Sequence, residues 1–151
     1  MTTPEENKRA ATEFTDKVFN QHDMGYLKDA ISDEFVDLSP WPGAGNDKTA
    51  VIQFFEGLFQ RIPDLRAEVQ HVIASGNKVA VHAIYTGTDT GGFMPGMPPT
   101  NKVASMAGID ISEFDDEGKQ VSHFGIQDTM AAMMQLGLIP TPEGGQPPHD
   151  H

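Results

Sequence analysis

Residues 117–137 read EGKQVSHFGIQDTMAAMMQLG, and they hold a strand, a helix and the junction between the two. Asp115-Asp116-Glu117-Gly118 is a tight turn, in which Gly118 supplies the positive φ that such turns need. Gln120 to Gln127 follows as a strand, and Met130 to Leu136 as a short helix stopped by Gly137 and Pro140. Asp128 stands at the junction, where a carboxylate either caps the helix or faces a cavity.

Working backwards from this stretch, Lys102 to Phe114 is a long strand that the 115–118 turn reverses. The Gly- and Pro-rich segment Gly91 to Thr100 interrupts the pattern before it. Val79 to Thr88, rich in β-branched and aromatic residues, pairs through the Ser75-Gly76-Asn77-Lys78 turn with an earlier strand. In that strand Leu65, Ala67, Val69, His71 and Ile73 alternate with Arg66, Glu68, Gln70 and Val72. Three helices come first. One starts at Thr2-Thr3-Pro4 and carries Ala11, Phe14, Val18 and Phe19 on one face; a shorter one runs from Tyr26 to Ile31. The third, capped by Asn46 or Asp47, presents Val51, Phe54, Phe55, Leu58, Phe59 and Ile62 and is closed by Pro63. A short strand, Phe35 to Leu38, and the Ser39 to Gly45 loop separate the last two. The order predicts an α+β fold: a cone-shaped, curved antiparallel sheet with three helices on its concave face, enclosing a cavity. Residues 1–140 form this domain, and 141–151 a flexible Pro/Gly-rich tail.

Composition narrows the function. The chain has 151 residues, a formal net charge of −12 and no cysteine, with nine Phe and eight Met. An acidic surface without a Lys/Arg stripe repels phosphate backbones, so neither nucleic acid nor an anionic membrane is an expected partner. The lack of Cys removes disulfides, thiolate nucleophiles and Cys-based zinc sites from consideration. No leader pattern or membrane-length apolar run is read, and a cytoplasmic location is expected. No phosphate-binding glycine loop is present, and His149-Asp150-His151 on the tail is not a preorganised metal site; neither cofactor nor metal is expected.

Several motifs together resemble a known family. Pro95-Gly96-Met97-Pro98-Pro99-Thr100-Asn101-Lys102, Gly108-Ile109-Asp110-Ile111, His123-Phe124-Gly125-Ile126-Gln127-Asp128 and Gln135-Leu136-Gly137 are similar to the SnoaL-like polyketide cyclases. These are ester cyclases of the nuclear transport factor two-like superfamily. Pro63-Asp64-Leu65 and Gly76-Asn77-Lys78-Val79 fit the same pattern, and the resemblance covers roughly residues 7 to 140. Two positions depart from it: Phe124 where the family usually has Trp, and Asn101 where it usually has Gly. The resemblance implies a cone-shaped α+β barrel, cofactor-free aldol ring closure of a polyketide ester, and dimers or tetramers. It also implies that Asp128 is the general acid/base.

Such a reaction needs a base for a proton α to a carbonyl and an acid for the oxygen that becomes the alcohol. A single carboxyl in apolar surroundings can serve as both. Asp128, near Phe124, Ile126, Met130, Met133 and Met134, is that candidate by resemblance; capping preference alone favours a helix cap. His123 is read as orienting Asp128, polarising a carbonyl, or satisfying a structural hydrogen bond. Alternation puts it on the face opposite Asp128, with Val121, Gly125 and Gln127, unless a bulge at Gly125 intervenes. Asp110 is either a second pocket carboxyl or the ion partner of an Arg such as Arg61 or Arg66. His82, sharing a face with Ile84 and Thr86, is a pocket histidine or an interface one; His71 is structural. Phe93, Met94 and Met97 on an irregular loop suggest a lid, with Trp41 across the same mouth; loop anchoring or a dimer contact explains them nearly as well. With Phe124 and Met133 these four are the predicted substrate-binding residues. The expected partner is a small hydrophobic carbonyl compound; the alternatives are a non-catalytic binding protein for such a ligand, or another cofactor-free activity (isomerase, lyase or hydrolase) in the same cavity.

Overall fold

Helix signals in the chain are answered by caps. In the computed structural model, which describes residues 2–142, Thr3 Oγ1 accepts from Glu6 N at the start of α1, Pro4–Phe14. A π-helical stretch, Thr15–Asn20, continues it without a break and carries Val18 and Phe19. Asp23 caps α2 (Met24–Ala30) through Tyr26 N, and Asp47 caps α3 (Lys48–Arg61) through Ala50 N. Between them runs β1, Ile31–Asp37. The strands β2 (Arg66–Ser75), β3 (Lys78–Thr88), β4 (Val103–Phe114) and β5 (Gln120–Gln127) follow, and α4 (Thr129–Gln135) closes the series. The tail from residue 143 onward, with His149, Asp150 and His151, lies outside the described residues.

The sheet order is β1-β5-β4-β3-β2. Its last four strands form the antiparallel meander that the alternating pattern predicts. The sheet as a whole is mixed, however, because β1 pairs with β5 in parallel and sets Asp37 beside His123. A helix, not a hairpin turn, follows β1, so no tight connection obliges it to run antiparallel to a neighbour. It fills the edge of β5 that β4 leaves open.

One face of the sheet is covered by helices. Val79, Val81, Ala83 and Tyr85 of β3 are buried there with Ala11, Leu65 and Phe114. A second cluster, Val18, Leu27, Ile31, Phe35 and Phe55, fills the space between the helices and β1. Phe19 joins the two, with its ring 5.4 Å from Phe55 and 4.9 Å from Tyr85. Burying a side chain such as Leu27, which is fully inaccessible, contributes roughly 1.5–3 kcal/mol.

Strand β2 corrects the simple alternation. Its register with β3 shifts between Val69 and His71, and the extra residue, Gln70, reverses every side chain after it. Val72 and Ala74 pack against the core cluster, whereas His71 and Ile73 are exposed on the outer face. There His71 Nδ1 lies 3.1 Å from Nδ1 of His82, its cross-strand neighbour.

Candidate functional site

The helix-covered face of β4 is set by its register. Asp110 lies opposite Val81 and Gly125, and Gly108 opposite Ala83 and Gln127, so all of them share the inner face with Tyr85 and His123. Three side chains converge there on the Asp110 carboxylate. His123 Nε2 is 2.7 Å from Oδ1, Gln127 Nε2 donates to the same oxygen at 3.2 Å, and the Tyr85 hydroxyl donates to Oδ2 at 2.7 Å. Asp37, from β1, joins the cluster through His123 and not through Asp110: its Oδ1 is 3.2 Å from His123 Nδ1 and also accepts from Ser39 N at 3.0 Å.

Glycine makes this convergence possible. A Cβ on Gly125 would fall within van der Waals contact of Asp110 Oδ1 and 3.0 Å from both His123 Cε1 and Gln127 Nε2. One on Gly108 would stand 2.9 Å from the Tyr85 ring. The two glycines are thus the floor on which the polar cluster rests. Gly125 opens this floor within a ladder that stays in register from Gly108 to Glu113, so no bulge turns His123 toward Asp128.

The electrostatics follow from these contacts. Burial works against a charged His123, yet hydrogen bonds to Asp110 and Asp37, and their charges, outweigh it and raise its pKa from 6.5 to about 9. Burial likewise opposes ionisation of Asp37, but the bonds from His123 and Ser39 hold its carboxyl below the usual range. Tyr85 is pushed well above the ordinary phenol value, first by burial and then by the Asp110 charge and hydrogen bond. His123 keeps 27 % of its side chain accessible, so the cluster is not sealed from solvent.

The other residues singled out from the sequence are placed elsewhere. Asp128 is the N-cap of α4, accepting from Ala131 N at 3.1 Å, while its own N–H bonds to Ala107 O. His82 points to the outer face, paired with His71, because it lies opposite Ile109 and not Asp110. Phe124, opposite Ile111, is 41 % exposed on that same outer face. Met133 is half-buried on α4, whose Gln135 amide bonds both Ser105 N and Ser105 O and thereby continues the ladder where β5 has ended. Trp41 stacks on Phe54 of α3 at 6.4 Å. Phe93, Met94 and Met97 are half-buried in a loop clasped by Asp89, a residue the sequence reading passed over. The Asp89 carboxylate is buried and accepts from Gly92 N, Thr100 N and Thr100 Oγ1. Asn101, in the same loop, has φ +60°, the left-handed conformation that glycine favours and asparagine tolerates.

Asp110 has His123, Tyr85 and Gln127 as partners and not the Arg61 or Arg66 that its sequence context suggested. Asp37, Ser39, Tyr85 and Gln127 were not identified as site residues. The available signal was register, since Gln127 shares the His123 face by alternation alone. A hollow of about 530 Å³ lined by Asn20, Arg66, Ala67, Glu68, Ile84 and Thr86 shares no residue with the cluster. Among the described residues, no group of three or more His, Asp or Glu is gathered to hold a metal ion, and no helix is long and apolar enough to cross a membrane.

The fold recurs in solved structures. IdmH from Streptomyces antibioticus, assigned as a polyketide cyclase, is 27 % identical over 87 % of this chain and 98 % of its own, with a TM-score of 0.75. AclR from Streptomyces galilaeus, assigned as a hydroxylase, is 26 % identical over 92 % of this chain and 89 % of its own, with a TM-score of 0.80. A SnoaL-like protein from Jannaschia sp. CCS1, 22 % identical over 93 % and 99 % of the two chains with a TM-score of 0.79, shares the fold. No curated protein matches the sequence. The family model of the SnoaL-like polyketide cyclases spans residues 9–136, which takes in every member of the cluster around Asp110, and the chain belongs to that family.

Proposed function

We propose that the protein is a cyclase-type enzyme that performs cofactor-free acid/base chemistry on a small apolar carbonyl compound, with Asp110 and His123 as its reacting pair. The carrying observation is the 2.7 Å contact between them on the helix-covered face. Among the described residues Oδ2 of Asp110 accepts from Tyr85 alone, which leaves one acceptor direction. In this reading that oxygen takes a proton α to a carbonyl. The enolate carbon then attacks a second carbonyl of the same molecule, a carbon–carbon bond forms, and the new alkoxide recovers the proton from Asp110. His123 supplies a positive charge beside the developing oxyanion, where a fixed charge lowers the barrier most. Asp128, as a helix cap, supports the fold beside the site. An isomerase, lyase or hydrolase of the same acid/base type would use the same pair.

The test is turnover of β-keto esters by wild type and Asp110→Asn. Loss of about 10²–10⁴ in rate, with the fold intact, is expected for removal of a general base. Undiminished turnover in the variant would sink the assignment. A non-catalytic binding protein is the second reading, favoured by the three internal donors that already occupy Asp110. It predicts ligand affinity without turnover in either protein.

We also propose that the outer face pairs with a second copy of the chain. Ile109, Ile111, Phe124 and Ile126 are exposed together, in directly opposed pairs across β4 and β5. For a chain of charge −12, such an uncharged patch is where approach of a second copy meets the least repulsion.

A further inference from the structure

We propose that Asp37 is a positioning residue for the site: from β1 it holds the His123 ring doubly protonated, so that the ring serves as a fixed cation beside Asp110 and not as the base. This rests on the reading of Asp110 and His123 as the reacting pair.

The geometry carries the inference. A neutral imidazole has one N–H and one lone pair, and can donate to only one carboxylate. Here a carboxylate faces each ring nitrogen, Asp110 at 2.7 Å from Nε2 and Asp37 at 3.2 Å from Nδ1. In either neutral tautomer, one lone pair would confront a carboxylate oxygen in a partly buried site. With both carboxylates ionised, only the imidazolium satisfies both contacts. With no lone pair left, the ring cannot accept a proton, which leaves the role of base to a carboxylate, Asp110 in the reading above.

Asp37 is itself held in place. Ser39 N donates to its Oδ1, Ser39 Oγ accepts from Gly125 N at 2.8 Å, and Leu38 N bonds to the carbonyl of His123 at 2.8 Å. The chain leaving β1 is therefore stitched to β5 at His123 and at Gly125, two residues that form the site. The same segment continues to Trp41, against Phe54 of α3. The titratable groups around the ring are Asp37 from β1, Asp110 from β4 and, one hydrogen bond further, Tyr85 from β3. Both carboxylates favour the cation, and the Tyr85 phenol remains protonated beyond the range in which the ring titrates.

The experiment is a titration of the His123 ring nitrogens by NMR in the full chain, for wild type, Asp37→Asn and Asp37→Glu, with pH–rate profiles of each. In wild type both nitrogens are expected to stay protonated through pH 8, with a midpoint near 9. Asp37→Asn should lower the midpoint by at least about one unit. It should also bring a falling alkaline limb into kcat at that new midpoint, which Asp37→Glu partly removes. A wild-type midpoint at or below about 6.5 overturns the inference, whether or not the variants fold. So does an unmoved midpoint in Asp37→Asn, or a moved midpoint with an unchanged rate profile. Full turnover in Asp110→Asn would instead overturn the underlying reading and leave the ring titration as measured.

Discussion

The raised pKa of His123 makes the folded state sensitive to alkali, and the sensitivity can be calculated. A group whose folded pKa lies above its unfolded value stabilises the fold fully below the unfolded pKa and loses that contribution as pH rises through the folded one. For His123 the two values are 6.5 and about 9. At about 1.4 kcal/mol per unit, the contribution is about 3 kcal/mol from pH 6 to pH 7 and gone by pH 10. Other groups titrate over the same range, so the comparison is with His123→Gln, which keeps a polar side chain but no titrating ring. Urea unfolding of both proteins from pH 6 to pH 10 should show the stability gap between them shrinking by about 3 kcal/mol. Asp37 acts in the opposite direction. Its lowered pKa gives stability that is present above the unfolded carboxyl value and lost as pH falls through the folded one. A gap that stays constant between pH 6 and pH 10 would refute the doubly bridged imidazolium.

Three further outcomes test other parts of the structure. Gly125→Ala places a methyl against Asp110 Oδ1, and should cost about 1–3 kcal/mol as an overpacking change; turnover should fall further than stability, read by parallel kinetics and denaturation. Asp128→Ala removes the cap of α4, and should cost about 1 kcal/mol while leaving kcat unchanged, so a large loss of kcat at retained stability would restore Asp128 to the chemistry. Ile126→Asp puts a carboxylate at the centre of the exposed apolar face, and should leave a folded protein that sedimentation shows to be monomeric while the wild type is dimeric.

Much of this fold was legible in local pattern. Caps at Thr3, at Asp47 (with Asn46 as the alternative) and at Asp128, and the glycine turns at Gly76 and Gly118, place the element boundaries to within a few residues, whereas the Asp23 cap of α2 was not read. The facing of β5 was legible too, since strict alternation separates His123 from Asp128. What periodicity does not contain is pairing between elements far apart in the chain. The partnership of Asp37 with His123 spans 86 positions and depends on β1 filling a parallel edge. No local signal announces that choice. Nor does alternation foresee the bulge at Gln70, which sends His71 outward. Asp110 was legible as a second pocket carboxyl or as the ion partner of an arginine; its partners are instead His123, Tyr85 and Gln127, which only the pairing of β4 with β3 and β5 brings to it.

The segment Gly108-Ile109-Asp110-Ile111 serves both faces of the sheet. Along it the side chains alternate between the helix-covered face, where Asp110 meets His123, and the outer face, where Ile109 and Ile111 meet Ile126 and Phe124. A slip of one residue would bury the isoleucines among polar groups and expose the acid, so both faces select the same register. The glycines enforce it further: only at Gly108 and Gly125 is there room for the Tyr85 ring and the Asp110 carboxylate to close over the sheet. The proposed chemistry and the proposed pairing of two copies are therefore not independent properties of the chain. Each depends on the alternation that secures the other, and a substitution that loosens β4 should weaken both at once.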